Sequence, residues 1–273
     1  MFPEINNFLD INPSSLPNGK CIVVKQCGTD GSFLLHHLLS LYGHGNCNAC
    51  LVGVAQTFNH YKSVSDKVGA SLNKWKESGK FAFIDALKEI GQITIESTSD
   101  TSIGDVVDTL DVSYLKRLYF VIKSAIQQLS KQGDASTVLV MIDDLTMLLH
   151  VGIPVLSVIH FVQYLRQLVC PTHNSSGCLT VLVHQDLAVD DDDLNILVRQ
   201  LCHSSDMILH VSGLESGFCR DVHGKLTVTW RESAEKEHPS GWNKQQEKTM
   251  EMQFKIMDKN VCLFAPGTSA AVL

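Results

Sequence analysis

The feature that most constrains this chain is a set of short, uninterrupted apolar runs. They lie at 21–24 (CIVV), 138–142 (VLVMI) and 179–183 (LTVLV), with helical periods between them. A strand with one wet face alternates apolar and polar residues, so runs of this kind must be covered on both faces, as in a mainly parallel sheet flanked by helices. The first strand, 19–26, runs into a glycine-containing turn at 27–31. In the helix that follows, Phe33, Leu34, Leu35, Leu38, Leu39, Leu41 and Tyr42 are too many for a surface helix, so it is read as largely buried.

Further strands are expected at 49–56, 80–85 and 207–211. One helical period links Tyr61, Val64, Val68, Leu72 and Trp75, and a second links Leu115, Leu118, Ile122, Ile126 and Leu129. A third helix starts at Pro154, which suits a first helical position, and a short one carries Leu194, Leu197, Val198 and Leu201. The carboxyl end changes character. The spacing predicts one hairpin turning at His223-Gly224 and another at 258–260. The polar stretches 96–102 and 231–248 have little to bury and read as mobile loops. With 273 residues and no internal repeat, residues 1–273 are read as one α/β domain.

Composition narrows the function. Twenty-two Lys and Arg against 29 Asp and Glu give a net charge of −7, which argues against a free-standing nucleic-acid module. The amino terminus has neither a basic nor an apolar signal region, and the apolar stretch 145–162 is broken by His150, Gly152, Pro154 and His160, so neither secretion nor a membrane span is expected. Nine scattered cysteines, an odd number, suit buried thiols in a reducing, intracellular setting.

A strand, a glycine-containing turn, a helix and a later strand ending in Asp143-Asp144 is the layout of a P-loop nucleotide domain. A working loop reads GxxxxGK[ST], its Lys reaching the phosphates and its hydroxyl holding Mg²⁺. With Gly31 as the second glycine, Gln26 stands at the first, Ser32 at the Lys and Phe33 at the hydroxyl. Lys20 and Lys25 lie on the strand and cannot substitute. Gly28 and Gly31 then serve a tight strand-to-helix turn, or bind an anion through backbone N–H groups. Asp143 and Asp144 stand where Walker-B-type acids hold metal and polarise water. Without the Lys and the hydroxyl, helix capping, loop tethering or a subunit contact are the other roles open to them.

Other groupings point to less. Cys47-x-x-Cys50 is half a zinc site without a second pair, and Cys170, His173 and Cys178 surround a loop. Asp186 with Asp190–Asp193 could gather a hard cation or form a solvated turn that favours a helix start. His36-His37 read as core or interface histidines. No metal and no cofactor are assigned.

One combination of motifs is specific. Asp30-Gly31-Ser32-Phe33-Leu34 with His36-His37, Ile142-Asp143-Asp144-Leu145 through Leu149, Gly213-Leu214, the block 217–226 (GFCRDVHGKL) and the terminal 266–273 (PGTSAAVL) together resemble the family of sixth subunits of the Elongator complex, in its vertebrate-type form. The resemblance spans the chain and is weakest at 91–113 and 231–248. It implies a RecA-like P-loop fold with a degenerate phosphate loop. It also implies a non-catalytic role beside the fourth and fifth Elongator subunits in a hetero-hexameric ring with two copies of each. That ring docks on the catalytic Elongator core, binds tRNA and supports carboxymethyl-type modification of the wobble uridine, in the cytoplasm and also the nucleus. Basic residues that could share a tRNA or subunit contact are Arg220, Lys225, Arg231, Lys236, Lys244 and Lys248, all of which could equally be solvated charges paired with nearby Glu. An active RecA-class ATPase and a stand-alone nucleotide- or anion-binding module are the other readings.

Overall fold

A computed structural model describes residues 2–86, 88–89, 103–131 (103–113 as helical backbone), 137–171, 177–185, 191–217, 219–231, 247–266 and 268. The strands among these residues are β1 Lys20–Cys27, β2 Asn48–Gly53, β3 Phe81–Asp85, β4 Val138–Ile142, β5 Gly177–His184, β6 Met207–Ser212, β7 Gly224–Arg231, β8 Glu247–Ile256 and β9 Val261–Phe264. They form one sheet in the order β3-β2-β4-β5-β1-β6-β7-β8-β9. From β3 to β6 all neighbours are parallel, and from β6 to β9 they are antiparallel. The architecture is therefore α/β, with a mostly parallel sheet flanked by helices and antiparallel hairpins at its carboxyl end.

The apolar runs become the middle of the sheet. Every residue of β4 is buried, as is all of β5 except His184. Two cores lie on opposite faces. One joins Val23, Val140 and Val181 to helices α5 Ile103–Lys131, α7 Val155–Val169 and α8 Asp192–Ser204. The other joins Ile22, Val24 and Leu139 to α1 Pro3–Leu9 and to α2 Ser32–His44. Helix α2 buries ten of its 13 residues, as its leucine density requires. Short helices α3 Phe58–Lys67, α4 Leu72–Glu77 and α6 Thr146–His150 complete the described set.

Three local readings are corrected. The single helical period from Tyr61 to Trp75 is two helices, because Gly69 at φ +83° turns the chain and Ser71 caps α4. His223-Gly224 is not a hairpin turn: Gly224 already pairs in β7, and the connection between β6 and β7 spans 213–223. The stretch 231–248 is not loop throughout, since Arg231 ends β7 and Glu247 and Lys248 open β8, while 232–246 lie outside the described residues, as do 96–102. Helix α1 was not foreseen at all. It packs on the outer strand, where Glu4 accepts the Leu263 N–H at 2.5 Å.

Candidate functional site

Parallel strands in register bring their carboxyl ends to one rim of the sheet, which is where open α/β sheets place ligands. On that rim Gln26 of β1 is the register partner of His184 of β5. Asp143 and Asp144 follow β4 on the far side of β5.

The turn after β1 is occupied by its own side chains. Gln26, buried at 6% exposure, accepts the Gly31 N–H on its Oε1 at 2.7 Å. Asp30 accepts the Ser32 N–H on Oδ1 and the Ser32 hydroxyl on Oδ2, both at 2.8 Å. These are the donors that a helix start offers an incoming anion, and a carboxylate there adds a like charge. Gly28 supplies the left-handed turn at φ +65°, and Phe33 turns into the core against Phe254 with ring centroids 5.0 Å apart. A Cβ on Gly31 would lie 3.2 Å from Gln26 Oε1, so the turn is tightly filled.

A relay runs from this turn across β5. With its oxygen committed to Gly31, Gln26 offers its amide Nε2 to Nε2 of His184. The imidazole Nδ1–H then donates to Asp144 Oδ2 at 2.9 Å. The hydrogen bond to Asp144 raises the His184 pKa above its ordinary 6.5. Asp144 Oδ1 also accepts the Thr146 backbone N–H at 2.9 Å, and the Thr146 hydroxyl oxygen accepts the His184 backbone N–H at 2.9 Å.

Asp143 faces the other way. Its carboxylate accepts three backbone N–H groups, from Val54 at 2.6 Å, Ala55 at 3.0 Å and Gln56 at 2.8 Å. It thereby ties the turn between β2 and α3 to the end of β4. Burial raises its pKa and outweighs the three hydrogen bonds that lower it. Each acid of the pair is thus engaged by backbone or by His184.

His36 and His37 are buried in α2, where burial lowers their pKa to about 4 and about 3. Phe2 donates its N–H to His37 Nδ1 at 3.1 Å, and His36 packs against Tyr61 and His60. Cys50 on β2 and Cys47, which precedes the strand, pack against the two different cores. Cys170 and Cys178 are divided the same way. His173, Asp186 and Asp190 lie outside the described residues, and no metal-ligating cluster occurs among the described ones. Asp191 caps α8 by accepting the Leu194 N–H, with Asp192 and Asp193 in its first turn.

The basic candidates are dispersed. Lys225 and Arg231 share one face of β7, paired with Glu251 at 3.6 Å and Glu247 at 2.8 Å. Lys248 stacks over Trp230 on the other face at 5.6 Å. Arg220 is exposed before β7, and Lys236 and Lys244 lie outside the described residues. Sequence reasoning missed the Gln26–His184–Asp144 relay, for which strand register was the lacking information.

A family model described as Elongation complex protein 6 matches residues 2–258. The chain belongs to that family. Elongator complex protein 6 from Rattus norvegicus is 36% identical over 274 residues, and that from Homo sapiens 35% over 275, each covering all of both chains. The Dictyostelium discoideum member is 22% identical over 326 residues, covering 93% of this chain and 92% of its own. Among the described residues no helix is long and apolar enough to cross a membrane.

Proposed function

We propose that this chain is a non-catalytic subunit of the Elongator complex. In this reading, residues 1–273 form one RecA-like domain whose phosphate loop has lapsed. It pairs with the fourth and fifth subunits in a hetero-hexameric ring that docks on the catalytic core and binds tRNA during wobble-uridine modification, in the cytoplasm and the nucleus. The observation that carries the lapse is the Gln26 side chain on the Gly31 N–H, with Asp30 on Ser32 beside it. A nucleotide would have to displace an amide and a carboxylate before meeting its first donor, and no Lys stands at Ser32 to repay that cost. Asp143 and Asp144 then serve as tethers, and Arg220, Lys225, Arg231, Lys236, Lys244 and Lys248 add a modest share to a surface that becomes basic only in the ring.

The test is a titration of a fluorescent ATP analogue into the purified chain, alongside co-expression with the fourth and fifth subunits. The expected result is no saturable nucleotide binding and a discrete complex. Saturable Mg²⁺-dependent binding that Asp143→Ala removes would overturn the non-catalytic reading. A monodisperse chain that ignores both neighbours would overturn the ring.

A further inference from the structure

Helices α5 and α7 lie side by side on one face of the sheet and leave a groove of about 400 Å³ between them. Its floor is Leu115, Tyr119 and Phe161. Along α7 the residues Leu156, His160 and Tyr164 recur every fourth position, and along α5 so do Lys116, Phe120 and Ser124. These are the i, i+4 ridges between which a further helix packs. The ridges are large and unusually wet: Leu156 is 63% exposed, Tyr164 60% and Phe120 52%. Phe120 and Tyr164 line the groove and Leu156 stands one turn from His160, so they form a patch rather than scattered exposure.

Among the described residues that line this groove the charge has one sign. Among the described residues Lys116 lines it, Lys123 lies two turns further along the same helix, and no Asp or Glu lines it. Arg117 is paired with Glu89 at 3.4 Å, whereas Lys116 and Lys123 form no ion pair with another described residue. A second copy of the same face would set lysine against lysine. Single-stranded RNA would meet the charge, but the floor is aliphatic and aromatic with little polar surface to read a backbone.

We propose that this groove is the docking site of an acidic amphipathic helix from a partner protein. The apolar stripe of that helix packs between the two ridges, and its carboxylates reach Lys116 and Lys123. The proposal does not depend on the lapsed loop or on tRNA binding.

The experiment places a photo-crosslinking amino acid at Phe120 or Tyr164 of the full chain, expressed in cells and purified with its native assembly. The crosslinked peptide is then sequenced by mass spectrometry. A control carries the same amino acid at exposed Glu215, away from the groove. The expected product is a segment of net negative charge with apolar residues at helical spacing, absent from the control. Its yield should fall about tenfold when Lys116→Glu and Lys123→Glu are added, as loss of a central contact set implies. Circular dichroism and retention of the assembly on a sizing column confirm that the double variant is folded. Crosslinks to RNA, to a second copy of this chain or to a basic segment would overturn the proposal. So would a yield no higher than the control, or one that ignores the charge reversal.

Discussion

Replacing Asp143 with Ala removes the acceptor for three N–H groups at once, and the cost can be worked from their surroundings. Val54 is buried, Ala55 half-buried and Gln56 exposed, so water rescues the third donor fully and the second in part. At about 1–3 kcal/mol for a stranded buried donor, the loss is about 2–4 kcal/mol, the lower end reflecting relief of the buried carboxylate. For a chain of this size that lowers the melting temperature by about 4–7 °C. The direction with pH follows from the raised Asp143 pKa. A carboxyl whose folded pKa is raised stabilises most below its unfolded value of 3.8, and that contribution is lost as pH rises through the folded value. The gap between wild type and Asp143→Ala should therefore be widest in acid and narrow towards neutrality. Thermal melts across pH, with amide hydrogen exchange read at 54–56 in the co-purified assembly, measure both. A melting temperature equal to wild type with unchanged protection at 54–56 would refute the tether. Loss of ATP turnover from a contaminant-free preparation would make Asp143 a catalytic acid instead.

His184 should titrate above 6.5 in a histidine NMR experiment and return towards 6.5 in Asp144→Asn; because its folded pKa is raised, the pair stabilises below 6.5 and fades as pH rises through the higher value, and an unshifted His184 would dissolve the relay. Gly224→Ala would put a Cβ 2.4 Å from the Ser212 carbonyl oxygen, so β7 must shift, and a cost above about 2 kcal/mol in urea unfolding is expected; a cost near zero would mean that the β6–β7 register slides freely. The proposed ring function predicts tRNA binding by the co-purified complex that weakens steeply as salt rises, with weak binding by the isolated chain at any salt. Equal, tight binding by the chain alone in a gel-shift titration would refute the shared surface.

Strands β2, β4 and β5 were legible because burial on both faces leaves a short apolar run, which its length and the turns that bound it mark as a strand. The turn at 258–260 between β8 and β9 was legible too, but where β8 begins was not. Glu247, Thr249, Glu251, Gln253 and Lys255 sit on one face, and the alternation with Met250, Met252 and Phe254 was drowned by the polar stretch before it. The departures of Gln26, Ser32 and Phe33 from a phosphate loop could be read directly, since they are matters of residue type. That Gln26 itself fills the turn could not, because it depends on a side-chain rotamer. The roles of Asp143 and Asp144 needed the neighbours of β4, and a sequence does not say that β2 and β5 flank it. Helix α1, with two buried residues in seven, is too short for periodicity to reveal.

The contact between Glu4 and Leu263 joins residues made at opposite ends of translation. An outer strand with unpaired N–H groups is a template for pairing with another chain, and here the residue that occupies one of those groups is synthesised long before the strand exists. During synthesis Glu4 must wait for this partner until β9 leaves the ribosome. A chain cut short after residue 256 would hold an almost complete sheet with β8 as its raw edge and the helix for β9 unengaged, the state in which this chain is most open to capture by a neighbour.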